Sequence, residues 1–262
     1  MEWTDQGIVL SVQAHGETSA IAEVLTDAHG RHKGLVRGGR GKRIVGVLQT
    51  GNEVACTWRA RLSEHLGSFA IELKDARAAR LMDNPLRLAG LTSLAATASM
   101  ALPEREPHPS VYKAARAVLD AMEMAPPSSI AWVAGLVRWE LGLLQELGFA
   151  LDLSSCAATG QVDDLTFVSP RSGRAVNTEA AAPYVDKLLP LPGFLRPGQA
   201  VTADREQPHL VLKDIEDGLR LTGHFLDRYI FHGSNRPPPA ARARFLEKIR
   251  RFRETYTGNH NI

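Results

Sequence analysis

The residues whose types and spacing could do chemistry lie between Gly30 and Arg43. Arg31, Lys33, Arg37, Arg40, Lys42 and Arg43 put six cations into 13 positions, and no Asp or Glu falls between Asp27 and Glu53. The whole chain of 262 residues carries 31 Lys+Arg against 29 Asp+Glu, so the run is a local positive field on a nearly neutral molecule. Such a field faces an anion. Gly34, Gly38, Gly39 and Gly41 let the backbone bend sharply or approach a ligand closely, which suits a loop laid along a phosphate chain. A solvated, flexible loop has the same composition, and the run alone leaves both readings open.

Catalytic constellations are hard to find around it. Gly39 to Arg43 invites comparison with a phosphate-binding P-loop, but that motif needs glycine where Val36 or Arg37 stands and Ser or Thr where Arg43 stands. No GxGxxG, GxSxG or HExxH occurs, and the nine histidines are scattered without ligand spacing. His15 with Glu17, and Asp163 with Asp164, sit in turn-like stretches where polar neighbours serve the turn or the solvent. We therefore expect no catalytic residues, no cofactor and no enzyme. The two cysteines, Cys56 and Cys156, are too few for a disulfide framework and fit a reducing compartment. The N-terminus lacks a basic and then apolar signal, and no run of about 18 apolar residues appears, so a cytoplasmic protein with no membrane contact is expected.

The elements that must position the basic run are strands. Ile8, Leu10 and Val12 alternate, a second run follows at Ile21 to Leu25, and Ala28 to Gly30 is turn-like. Val54, Cys56, Trp58 and Ala60 alternate against Glu53, Thr57, Arg59 and Arg61, and Phe69, Ile71 and Leu73 repeat the pattern. Each such strand is expected to keep one wet face. Five or six short strands within about 70 residues point to a small antiparallel barrel such as an OB-fold, with the basic loop joining two strands.

From Asn84 the apolar period becomes helical, with Pro85 in the first turn. Further helices are expected at Val111 to Met122, Ile130 to Phe149, His209 to His232 and Ala240 to Tyr256. The spacing therefore predicts an α+β chain, an OB-fold domain over 1–80 followed by a mainly α-helical domain over 81–262. Within the latter, 151–182 loses the helical period. Its turn-like pieces at Cys156 and Ser169 have the outline of a zinc knuckle, but one cysteine cannot hold a tetrahedral zinc, and no metal is assigned. Arg138, flanked by Trp132, Trp139 and Glu140, stands out on an apolar helix. The bland readings are that it pairs with Glu140 or snorkels. The terminal helix carries Arg242, Arg244, Lys248, Arg250, Arg251 and Arg253, which reads best as a solvated face and otherwise as a second basic surface.

An ordered set of these pieces resembles the RecO family of DNA repair proteins. It comprises Gly7 to Leu10, His15 to Ser19, Leu25 to Gly30, Val36 to Arg43, Gly46 to Thr50, Arg138 to Phe149, Leu151 to Leu153, Cys156, Ser169 to Gly173 and an arginine-rich terminal helix. The likeness spans nearly the whole chain. It implies an N-terminal OB-fold, a helical C-terminal domain and no turnover. It further implies a recombination mediator that binds single- and double-stranded DNA, anneals complementary strands, and works with RecR and the single-strand-binding protein SSB to load RecA at gaps. One departure is plain: many family members carry CxxC twice where this chain has Cys156, Thr159, Asn177 and Ala180.

A DNA-binding groove is then expected from Arg37, Arg40, Lys42 and Arg43, supported by Arg31 and Lys33 and by Arg59 and Arg61 on a wet strand face. With Phe, Trp and Tyr at only 6% of residues and Trp58 facing inward, base stacking is expected to be minor. The resemblance also points to the Arg138 helix for the SSB tail, which is acidic and ends in a phenylalanine carboxylate and so needs an apolar pocket with a cation at its rim. A sequence-specific DNA-binding regulator, or an enzyme or motor acting on DNA, remains the alternative; only the Ala240 to Tyr256 helix is basic enough to read bases.

Overall fold

The structure is a computed structural model that describes residues 1–196, 208–233 and 237–258. Alternating apolar residues close five strands into a barrel: β1 (Glu2–His15), β2 (Ser19–Thr26), β3 (Gly30–Val36), β4 (Glu53–Arg59) and β5 (Ser68–Asp75), in the order β1-β2-β3-β5-β4. Neighbours are antiparallel except β3 and β5, which meet in parallel through the single pair Leu35 and Ser68. This is the OB-fold arrangement. Val9, Val24, Val54, Cys56, Trp58 and Phe69 fill the interior. Burial, with the Asp5 charge beside it, pushes the Cys56 thiol up to about 12, so it stays a neutral packing group.

The strands depart from simple alternation in two places. β1 starts at Glu2 rather than near Gly7, and Ile8, Val9 and Leu10 are all buried, because a register shift between Val9 and Ser11 and the helix α3 (Pro85–Ala101) cover the outer side as well. Leu73, expected inside, is 42% exposed, and Glu53, expected on a wet face, is buried beside Arg77 and Arg116. A second register shift separates Glu53 from Val54, the partner of Leu73.

Between β3 and β4 the basic run ends in one helical turn, α1 (Lys42–Val45). Beyond the barrel come α2 (Arg77–Leu81), α3 and α4 (Pro109–Met124). Asn84 starts α3 as expected, its side chain accepting the Leu86 and Arg87 backbone N–H groups ahead of Pro85. These helices pack with the barrel into one compact unit, Met1–Met124 with Pro239–Arg242. The barrel strands end at Asp75, near the expected boundary at 80, yet the packing unit runs on to Met124.

The second unit, Ala125–Pro238 with Ala243–Ile262, is built on α5 (Trp132–Glu146), α7 (Pro208–Leu226) and α8 (Ala240–Gly258), with α6 (Thr178–Ala181) a single turn. The stretch 151–182 is less irregular than its sequence suggests. β6 (Leu165–Val168) pairs with β7 (Ala175–Asn177) on one side and β8 (Leu189–Pro190) on the other. Strands of two to four residues are too short to show a period.

Cys156, Thr159, Asn177 and Ala180, the four positions at which the resemblance leads one to expect cysteines, are linked through hydrogen bonds. Asn177 N–H donates to Cys156 Sγ at 3.4 Å, Asn177 Oδ1 accepts from Ala180 N–H at 3.0 Å, and Asn177 Nδ2 donates to Gln161 Oε1 at 2.6 Å. Thr159 Oγ1 lies 3.4 Å from the same Gln161 oxygen. Burial works against ionisation of Cys156, but hydrogen bonds from Thr159, Asn177 and Ala158 outweigh it and lower the thiol to about 7. One thiol, a hydroxyl, an amide and an alanine do not make a tetrahedral zinc site. In this chain the amide of Asn177 ties the loop together.

Candidate nucleic-acid interface

Val36 to Gly41 forms a compact turn rather than a loose loop. Gly39 N–H donates to Val36 O at 3.1 Å and Gly41 N–H to Gly38 O at 2.8 Å, with Gly38 at φ +66°, a left-handed angle that favours glycine. The turn is pinned to the β1–β2 connection, where Arg40 N–H donates to Thr18 O at 3.0 Å and the Arg40 guanidinium to Gly16 O at 3.0 Å. A Cβ on Gly39 would stand 2.9 Å from the Ala20 Cβ, so the close approach needs glycine.

The eight cations expected to bind DNA separate into distinct environments. Arg37, Lys42, Arg43 and Arg61 are exposed and make no ion pair among the described residues. Arg40 is exposed and holds the turn through one of its donors. Arg59 is exposed and pairs with Glu2 at 2.8 Å; the Arg59 hydrogen bond holds the Glu2 carboxyl below its usual range. Lys33, with a side chain 40% exposed, sits between Glu23 at 3.8 Å and Glu104 at 3.9 Å.

Arg31 is the correction. It is buried, its Nε donates to Leu102 O at 2.8 Å, and its guanidinium pairs with the buried Glu23. The assumption that every strand keeps a wet face fails on β2 and β3, because the segment following α3 lies over them. Arg31 is thus 8% exposed, with its guanidinium directed to Leu102 and Glu23.

On α5, Arg138 is exposed, while Glu140 is fully buried and accepts a hydrogen bond from Thr222 on α7. The Arg138 guanidinium donates to Phe194 O at 2.7 Å and lies 5.7 Å from the Phe194 ring centroid, a cation–π distance. The Phe194 ring in turn packs over Gly218, where a Cβ would stand 3.0 Å from it. The arrangement is a cation at the edge of an apolar surface.

On α8 much of the charge is spent internally: Arg253 and Arg250 lie 3.0 and 3.5 Å from the buried Glu216 of α7, and Arg251 lies 3.0 Å from Glu247. A recognition helix needs such side chains free for base edges.

Sequence reasoning missed Arg105 and the rings around it. Arg105, at φ +67°, caps the β4–β5 connection by donating to the Ser63 and His65 carbonyls, close to Trp3, His29, His32 and Trp58. Trp3 and Trp58 are register partners across β1 and β4, a pairing of residues far apart in the chain that local patterns do not reveal.

The barrel and its unpaired cations define an OB-fold protein with a basic loop between its third and fourth strands. Residues 1–77 match the family model described as Recombination protein O N terminal, and residues 82–237 match Recombination protein O C terminal. Curated DNA repair protein RecO sequences are similar over almost their whole length. That of Rhodospirillum centenum is 50% identical over 257 residues, covering 97% of both chains. That of Rhodospirillum rubrum is 47% identical over 253 residues, covering 96% of this chain and 98% of the relative. That of Mesorhizobium japonicum is 48% identical over 255 residues, covering 97% and 96%. The chain belongs to the RecO family of DNA repair and recombination proteins. Among the described residues, no helix is long and apolar enough to cross a membrane.

Arg31 and Arg43 should behave oppositely when removed. Arg31→Ala removes the hydrogen-bonded cation of the buried Glu23, leaving only Lys33 at 3.8 Å, and is expected to cost about 3 kcal/mol in chemical denaturation. Arg43→Ala, exposed and unpaired, is expected to stay within about 0.5 kcal/mol of the parent.

Proposed function

We propose that the chain is a recombination mediator that binds single- and double-stranded DNA through its sugar-phosphate backbone, without sequence preference. The observation that carries the reading is the pinned turn at Val36 to Gly41 with α1, which presents Arg37, Lys42 and Arg43 to solvent without internal counter-charges. Arg40 and Arg61 extend the field, and Arg59, paired with Glu2, and Lys33, partly neutralised by two glutamates, border it. Each phosphate neutralised releases counterion, so binding is driven by salt-sensitive entropy and is blind to base identity. Annealing follows when two neutralised strands can lie side by side with their pairing edges free. The internal pairing of the α8 arginines disfavours a sequence-reading regulator.

In the same reading the protein acts in the cytoplasm, at the nucleoid during repair, with RecR and SSB, and promotes RecA loading at gaps. It carries out no catalysis itself. Arg138, beside the Phe194 ring on the helical unit, is the proposed seat of the acidic SSB tail.

Two measurements test these proposals. Replacing Arg40, Lys42 and Arg43 together by Ala should reduce the slope of log affinity against log salt on single-stranded DNA by about 2, if all three touch phosphate. An unchanged slope and affinity would remove the turn from the interface. Arg138→Ala should weaken an SSB-tail peptide by about tenfold, the scale of a charge-assisted contact. Unchanged peptide affinity in a folded variant would move the tail elsewhere.

A further inference from the structure

Beside α4 the first compact unit holds a polar cavity of about 540 Å³, lined among others by Gln6, Asp27, Ala55, Lys74, Tyr112 and Arg116. That size is ordinary for a ligand site. Ala55 is the register partner of Gln6 and contributes only a methyl to the floor. Tyr112 and Arg116, four residues apart on α4, share one face of that helix. Gln6 and Lys74 are exposed, so the cavity can be entered from solvent.

Three polar atoms of this lining are buried without a hydrogen-bond partner among the described residues: Asp27 Oδ1, the Tyr112 hydroxyl and Arg116 Nε. Buried polar groups are normally satisfied, so three unmet ones around a single cavity point to an occupant. Tyr112 is only 2% exposed. Burial, then the charge of Glu53, then those of Asp27 and Asp5 push its ionisation up to about 12, so the hydroxyl keeps its proton and can both donate and accept. Charge is unmet as well. Asp5 is taken up by His29 and by the Gln6 and Ala28 N–H groups, and Arg116 lies 3.2 Å from Glu53. Asp27 and Lys74 make no ion pair among the described residues. Asp27 follows β2 and Lys74 lies on β5, with β1 and β4 between them, so about three strand spacings of 4.8 Å separate the two positions.

We propose that this cavity docks the free amino terminus of a polypeptide partner, its ammonium on Asp27 Oδ1 and the Tyr112 hydroxyl, its first carbonyl oxygens on Arg116 Nε and Lys74. The inference goes beyond the DNA-binding reading and does not depend on it. Other occupants meet only part of the demand. A water can bridge the polar atoms but brings no charge to Asp27 or Lys74. A lysine or arginine side chain answers Asp27 but offers no acceptor to Arg116 Nε. A free amino acid carries both functions within one residue, about 3.5 Å, whereas two or three extended residues span the distance from Asp27 towards Lys74. Capture of a terminal amine by convergent polar groups is a recurring mode of peptide recognition.

The test titrates the full chain, labelled with carbon-13 in its tyrosine rings, with Ala-Ala-Ala-amide, with its N-acetylated form and with free alanine. The Tyr112 ring signal, identified by its loss in Tyr112→Phe, should shift with the free-amine peptide at an affinity about tenfold above that for the acetylated peptide, the scale of a charge-assisted hydrogen bond. Asp27→Asn keeps the shape and removes the charge, and should bring the free-amine peptide down to the acetylated level. Lys74→Ala, at an exposed position, should weaken the free-amine peptide by about threefold without changing the thermal midpoint. Equal binding of the two peptides, or of neither, overturns the proposal, as does a preference that survives Asp27→Asn. Free alanine binding as tightly as the free-amine peptide would overturn the polypeptide occupant and assign the cavity to a free amino acid.

Discussion

Glu23 is the group on which the arrangement of the barrel's charges depends. It sits on β2 at 2% exposure, facing out of the barrel but under the helical cover, and its two oxygens are fully engaged. One accepts from Arg31, and the other from Ser11 on β1 at 2.9 Å and Ser99 on α3 at 2.5 Å. Arg31 completes the link by donating to Leu102 O just past α3. A buried carboxylate is tolerable only when paired and hydrogen-bonded, and here its partners lie on β1, β3 and α3 together. This contact locks the helical cover to one side of the barrel and withdraws Arg31 from the surface.

The turn keeps its cations by a different device. Backbone hydrogen bonds to the β1–β2 connection hold Arg40 and its neighbours without using acids. Holding the turn with carboxylates would have cancelled the field it displays. Elsewhere in the chain acids are used freely for this purpose: Arg77 is packed among Glu53, Asp75, Asp120 and Glu123, and Arg80 is gripped by Asp75 and Glu123, which raise its pKa further. The absence of acids from 28–52 thus has a structural counterpart.

Much of this was legible in the sequence, and the exceptions share one cause. Asn84 with Pro85 announced α3, Val54, Cys56 and Trp58 announced β4, and the amphipathic runs announced α5, α7 and α8, because those signals are local. The burial of Arg31 and Glu53 was hidden, since it depends on segments that arrive much later in the chain, Arg77 for Glu53 and Leu102, 71 residues on, for Arg31. The start of β1 at Glu2 was hidden as well, because its first residues pair with β4 and carry no pattern of their own. With it went the juxtaposition of Trp3, Trp58 and His32, so that Trp58 could be read as inward-facing but not as the ring packed against Trp3. The loop at Cys156 was half legible: its single cysteine could be counted, but the hydrogen bonds by which Asn177 joins Cys156, Gln161 and Ala180 could not.

In the proposed reading, nucleic acid lies along the barrel at the β3–α1 turn and not on the terminal helix. Amide hydrogen exchange with and without single-stranded DNA tests this most directly, since backbone contact slows exchange where it occurs. The account predicts slowed exchange at 36–46, with α8 unchanged at 243–255. Slowing concentrated in α8, with 36–46 exchanging as in the free protein, would contradict it.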